Sequence, residues 1–285
     1  MIVSVVSWGR ACRFLGVLVL MGVGSAALSL AHDMFLVVPS HHLSPHSRVE
    51  VSLFNGTFDE SLNTIDRHRM VDVSIVDGAG KVTHPALEQW RDEGTTTVLT
   101  FESGISGTYL VGVSTAASVI ELSAEDFNDY LEHDGVVDVL AQRTRAGQLD
   151  KPVRERYSKH VKTVLQVGDI VTDHHTQWLG YPVEIVPQQN PGALTVGDTL
   201  EVLVLAKGSP VAEQLVYSGC EEFGRPGNDG RRPETGSTRT NSRGLARLEI
   251  TRAGRCYIRL IRMLEVFEGD VDYESNWATL TFEID

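Results

Sequence analysis

From Met34 onward, apolar and polar residues alternate with a period of two, the pattern of strands that bury one face. Val49-Glu50-Val51-Ser52-Leu53 and Val71-Asp72-Val73-Ser74-Ile75 each put their apolar residues on one side, and 97–101 and 107–113 read as two further strands. Asn55-Gly56, Asp77-Gly78 and Gly80 supply the turns between them. Short strands at this spacing predict an antiparallel sandwich rather than a parallel sheet. The period changes near residue 123. Ser123 followed three residues later by Asp126 resembles a capping box, and Phe127, Tyr130 and Leu131 fall at i, i+3 and i+4. A second short helix is expected over 136–145 and a third from about Pro152, since proline suits a first helical turn.

Strand alternation resumes at Val161, Thr163, Leu165 and Val167, and Gly180-Tyr181-Pro182 opens a second β region. There, 199–205 reads as a strand buried on both faces, while 244–250 and 279–284 alternate. Residues 223–240, rich in Gly, Pro, Arg and Asn, predict a mobile loop. The expected architecture is mainly β: a first sandwich module over 32–178 that includes a helical insertion at about 123–158, and a second over 179–285.

The first 31 residues break the alternation. Arg10 and Arg13 precede the apolar run 14–21, and small residues lead to Ser29-Leu30-Ala31, the form of a cleavable export signal. A retained transmembrane anchor is disfavoured by Gly16, Gly22, Gly24 and Ser25, and no later run approaches the length of a span. Periplasmic localisation follows from this reading. Cleavage after Ala31 removes Arg10 and Arg13 and takes the formal net charge from -13 to -15. So acidic a chain lacks the Lys/Arg surplus that nucleic-acid binding needs. It also leaves His32 first, with an α-amine and an imidazole on one residue, able to chelate one metal ion.

No Gly-x-Ser-x-Gly elbow, His-Glu-x-x-His pair, phosphate-cradling loop or Cys-x-x-Cys motif occurs, so nothing in the sequence specifies an enzyme. Imidazole suits nickel, cobalt, copper and zinc. Besides His32, the candidate metal ligands are His160, His174 and His175. Adjacent histidines on a strand face opposite ways, so His41-His42 and His174-His175 can act together only in loops. Cys220 ends one expected strand and Cys256 begins another, and an antiparallel pair in an oxidising compartment would bring them together as a disulfide; the alternative is two buried thiols.

Four stretches carry a resemblance: 157–162 (Tyr-Ser-Lys-His-Val-Lys), 179–187 (Leu-Gly-Tyr-Pro-Val-Glu-Ile-Val-Pro), 214–217 (Gln-Leu-Val-Tyr) and 272–284, with its Tyr-Glu-Ser-Asn-Trp run. Together with Ala31-His32-Asp33, they resemble a bacterial exported family of unknown function often labelled nickel-uptake-associated, or a component of a nickel transport complex. The resemblance implies immunoglobulin-like or transthyretin-like β-sandwich modules in the periplasm and an association with divalent metal uptake. Nickel or cobalt is the expected ion, with copper or zinc as further candidates. An inner-membrane metal transporter or an outer-membrane receptor is the expected partner. The resemblance also implies a histidine before the methionine of Ile261-Arg262-Met263, where this chain departs from the pattern with Arg262. The Tyr-Glu-Ser-Asn-Trp run reads as a loop whose large aromatic anchors the last strand. The alternative function is a cell-envelope scaffold that binds no metal, with the 223–240 loop as its contact surface.

Overall fold

The computed structural model describes residues 32–220 and 236–285; the expected signal segment and most of the expected loop lie outside the described residues. In chain order the strands are β1 Asp33–Val37, β2 His42–Leu43, β3 Arg48–Gly56, β4 Met70–Val76, β5 Val82–Thr83 and β6 Trp90–Glu93. Next come β7 Thr96–Glu102, β8 Gly107–Thr115, β9 Ser118–Leu122, the helices α1 Ala124–His133 and α2 Val137–Ala146, and β10 Val153–Val167. The second half adds β11 Val183–Pro187, β12 Thr199–Ala206, β13 Ser209–Pro210, β14 Leu215–Cys220 and β15 Gly236–Arg239. The last three are β16 Leu245–Glu249, β17 Gly254–Glu265 and β18 Tyr273–Ile284.

These strands form a mainly β structure of three sheets. A central ten-stranded sheet runs β15-β14-β17-β18-β10-β8-β4-β5, with β2 and β9 also paired to β10. A four-stranded sheet, β1-β3-β7-β6, covers one half, and a second four-stranded sheet of β11, β12, β13 and β16 covers the other. Met34, Leu36, Val51 and Leu99 from the first cover meet Val111, Val113, Val161 and Leu165 of the central sheet. Val183, Ile185, Val202 and Val204 from the second meet Ile258, Leu260, Leu280 and Phe282. The alternating strands thus bury their apolar faces as the period-two pattern requires.

Four expectations change. Pro152 does not start a helix: residues 153–167 form one long strand, because Val153, Glu155, Tyr157 and Lys159 share a face by strand alternation. The helical insertion therefore ends with α2, whose carboxyl end is capped by left-handed Gly147. The Tyr-Glu-Ser-Asn-Trp run is not a loop but the first half of β18. Part of the expected 223–240 loop, Gly236–Arg239, is the edge strand β15.

The fourth concerns the division at residue 178. β10, before the boundary, pairs in parallel with β18, beyond it, from Glu155↔Tyr273 to Thr163↔Thr281. Contacts group residues 31–285 into one compact unit. The two sandwiches share the central sheet and are not separate hydrogen-bonded bodies.

Both helices lie on that sheet. Ser123 caps α1 by accepting the Asp126 amide at 3.1 Å, and Phe127, Tyr130 and Leu131 are its buried stripe. They pack with Val153, Tyr273, Trp277, Ile261 and Met263, and the Tyr130 ring stacks on Trp277. One face of the β10–β18 pair is therefore covered by helix at its start and by β1 further along.

Candidate functional site

His32 lies immediately before β1, the strand that opens the first cover sheet. Period-two burial makes β1 a core strand: Met34, Phe35, Leu36 and Val37 are all buried. Its free carbonyls reach across to β18, with Thr279 donating to Met34 O at 2.8 Å and Thr281 to Leu36 O at 2.6 Å. The chain entering β1 is held by a charged group. Lys159, buried in β10, donates from Nζ to the His32 carbonyl and to Asn55 Oδ1 at 3.0 Å. Its ammonium also sits 5.7 Å from the Trp277 ring centre and 5.9 Å from that of Tyr157, within cation–π range.

Acids and bases gather around this lysine. Asp33 Oδ2 stands 3.6 Å from Arg259 Nε, and Arg259 Nη1 donates to the Asp134 carbonyl at 3.1 Å. Glu155, fully buried four residues before Lys159 on the same face of β10, accepts from Tyr130 at 3.2 Å and from the Ser275 hydroxyl, which in turn accepts from Trp277 Nε1 at 3.2 Å. Burial pushes Glu155 up to about 7 against the pull of the Ser275 and Tyr130 hydrogen bonds. Burial pulls Lys159 down to about 8, with Asp33 opposing. His32 is lowered, first by burial and then by the Lys159 charge, with Asp134 opposing. Its imidazole is therefore neutral at pH 7, the form that ligates metals.

The other predicted ligands sit elsewhere. His160 follows Lys159 on a strand and so points to the opposite face. Both of its ring nitrogens are engaged, Nδ1 with Ser114 Oγ at 2.9 Å and Nε2 with Asn276 Oδ1 at 3.0 Å and Ser158 Oγ at 3.2 Å. His174 and His175 lie in a 3-10 turn at Asp173–Thr176. His175 is buried, with Nδ1 3.4 Å from Thr172 O, and the His174 ring covers Gly80 at the β4–β5 turn so closely that a Cβ there would meet it at 2.7 Å. His32 is thus not brought together with His160, because β10 separates them. Among the described residues, no three His, Cys, Asp or Glu side chains are gathered closely enough to hold a metal ion as they stand. Cys220 and Cys256 do meet, as a disulfide across the β14–β17 register pair.

Sequence reasoning missed Lys159, Glu155 and Asn55. The signal was present in β10, where charged residues occupy positions of a strand otherwise dense in apolar and hydroxyl side chains. A lysine or glutamate there has to be buried against a partner.

Residues 29–263 match the profile described as Domain of unknown function (DUF4198). The chain belongs to the DUF4198 family. Among solved structures, the D0–D1 domain of Intimin is similar at 12% identity over 88% of this chain and 97% of that one, with a TM-score of 0.22. Trypsin-activated alpha-2-macroglobulin from Escherichia coli matches at 10% identity over 90% of this chain and 16% of its own, with a TM-score of 0.24. A DUF4785 family protein from Legionella pneumophila matches at 11% identity over 79% and 50%, with a TM-score of 0.23. At scores this low the likeness bears on neither activity nor partners. No curated protein matches the sequence.

Proposed function

We propose that this DUF4198 protein is exported, cut after Ala31, and binds one divalent transition-metal ion through the amine and imidazole of His32. It serves metal uptake from the periplasm as a non-enzymatic accessory, with nickel or cobalt the ion that the family resemblance implies and copper or zinc suited to the same donors. An inner-membrane transporter or an outer-membrane receptor takes the other side of the exchange.

The observation that supports this reading is the lysine clamp. A terminal residue ordinarily frays. Here Lys159 holds the His32 carbonyl, so the α-amine and imidazole of a chain starting at His32 leave from a fixed backbone. Pre-ordering both donors removes an entropy cost that a loose terminus would carry on binding. The Lys159 ammonium opposes a second cation, while Asp33 and Asp134 offset it electrostatically. The Asp134 charge, which opposes that of Lys159 at His32, would add to the attraction for the ion.

Calorimetric titration with Ni(II) tests this on two forms of the chain, one starting at His32 and one with a single extra residue before it. The extension turns the amine into an amide and removes one donor. The expected result is one tightly bound equivalent in the first form that the second form lacks; identical stoichiometry and affinity in the two forms would overturn the proposal.

A further inference from the structure

We infer a second divalent-metal site, built from His41, His42, Glu283 and Asp285, at the junction of β2 with the end of β18. The carboxylate oxygen Oε2 of Glu283 is its centre. His41 Nδ1 lies 3.7 Å from that oxygen and His42 Nδ1 3.9 Å, while His42 Nδ1 is also 3.8 Å from Asp285 Oδ1. These gaps are too long for hydrogen bonds. They are close to the separation between two ligands that share one metal ion, about 3.4 Å for tetrahedral bonds of 2.0–2.1 Å.

His41 makes the case more than an acidic cluster. It is only 3% exposed, and neither of its ring nitrogens has a hydrogen-bond partner among the described residues. A buried imidazole left without partners is costly unless something else satisfies it. Its backbone is fixed against the same glutamate, the His41 amide donating to Glu283 Oε2 at 2.8 Å. The adjacent histidines can converge because His41 precedes β2 in a bend, which frees the pair from strand alternation.

The charges facing the site are favourable on balance. Glu283 and Asp285 come from β18, the two imidazoles from the β2 segment, and one cation, Arg255, from β17, where it is the register partner of Glu283 and donates to Val38 O at 3.2 Å. Closing on an ion requires the donors to draw in by a few tenths of an ångström. His42 and Asp285 are the exposed members, and their side chains supply that movement. Two imidazoles and two carboxylates suit zinc, cobalt, nickel or copper rather than calcium or magnesium.

This site does not depend on His32, and the test separates them. The chain carrying one extra residue before His32 is titrated with Co(II) and its visible d–d absorption is followed. One equivalent is expected to bind, with affinity falling at least about tenfold in His42→Ala and in Glu283→Gln, a loss that even outer-shell changes produce at metal sites. His42→Ala alters a partly exposed side chain and leaves the core untouched; Glu283→Gln keeps an oxygen for the His41 amide. Absence of cobalt absorption in the extended chain, or binding that neither substitution weakens, would overturn the inference whatever the result at the amino terminus.

Discussion

Single residues of this protein act through burial. Glu155 and Lys159 share one face of β10, and burial shifts both toward their neutral forms, Glu155 to about 7 and Lys159 to about 8. Between pH 4.5 and 7 the folded chain keeps a proton on Glu155 that the unfolded chain releases, so stability falls as pH rises through that window. Between 8 and 10.5 the unfolded chain keeps a proton on Lys159 that the folded chain has lost, so stability rises again. The lowered histidines His32, His41, His160 and His175 act in the opposite sense below pH 6.5, so the Glu155 limb is read as the difference in urea unfolding between the unaltered chain and Glu155→Gln across pH 4.5–7. Glu155→Gln should abolish the acid limb, worth up to about 3 kcal/mol; an unchanged limb would place its origin in another group. The candidate metal residues were legible in the sequence only as types. His32 stood out because it begins the mature chain on the cleavage reading, whereas nothing in the spacing of His160 showed that Ser114 and Asn276 would occupy its ring.

At the scale of elements, alternation located strands well and failed where two patterns coincide. Ser123 and the Phe127–Leu131 stripe fixed α1 because cap and period agree. Pro152 misled because proline is as acceptable before a strand as in a first helical turn, and the Tyr-Glu-Ser-Asn-Trp run carries too many polar residues to show that it is a strand. Its Ser275 and Asn276 are polar because they serve Glu155 and His160 on the two faces of the sheet. Lys162 on β10 meets Glu184 of β11 at 2.9 Å with both side chains buried, and Glu184 also accepts the amides of Leu179, Gly180 and Tyr181. Glu184→Gln leaves the Lys162 charge buried without its counter-ion and should cost about 3–5 kcal/mol in urea unfolding. A cost below about 1 kcal/mol would mean that Lys162 reaches water or sheds its proton. The Cys220–Cys256 bond closes a sequence separation of 36 residues across β14 and β17. Its reduction should lower stability by about 4 kcal/mol in the chain-entropy description. Thiol titration of the unfolded, unreduced chain from His32 onward should find no reactive group.

The whole molecule is organised by the parallel β10–β18 pair, which no local pattern encodes because its partners lie more than a hundred residues apart. Composition and turn spacing led to two sandwiches; that they share one sheet depends on pairing, which periodicity does not carry. The shared sheet predicts that residues 32–285 unfold as one cooperative unit, with calorimetric and van't Hoff enthalpies in agreement. Two resolved transitions, one for each side of residue 178, would show that the sandwiches are independent. The same sheet carries Lys159, which holds the His32 carbonyl where the proposed export cut would fall. The most direct test is the amino-terminal residue of the full chain after expression and export into a bacterial periplasm, read by mass spectrometry of the intact protein. A mature chain beginning with His32 and carrying a free amine is the predicted result; one that begins at any other residue would contradict the account of a terminal metal chelate.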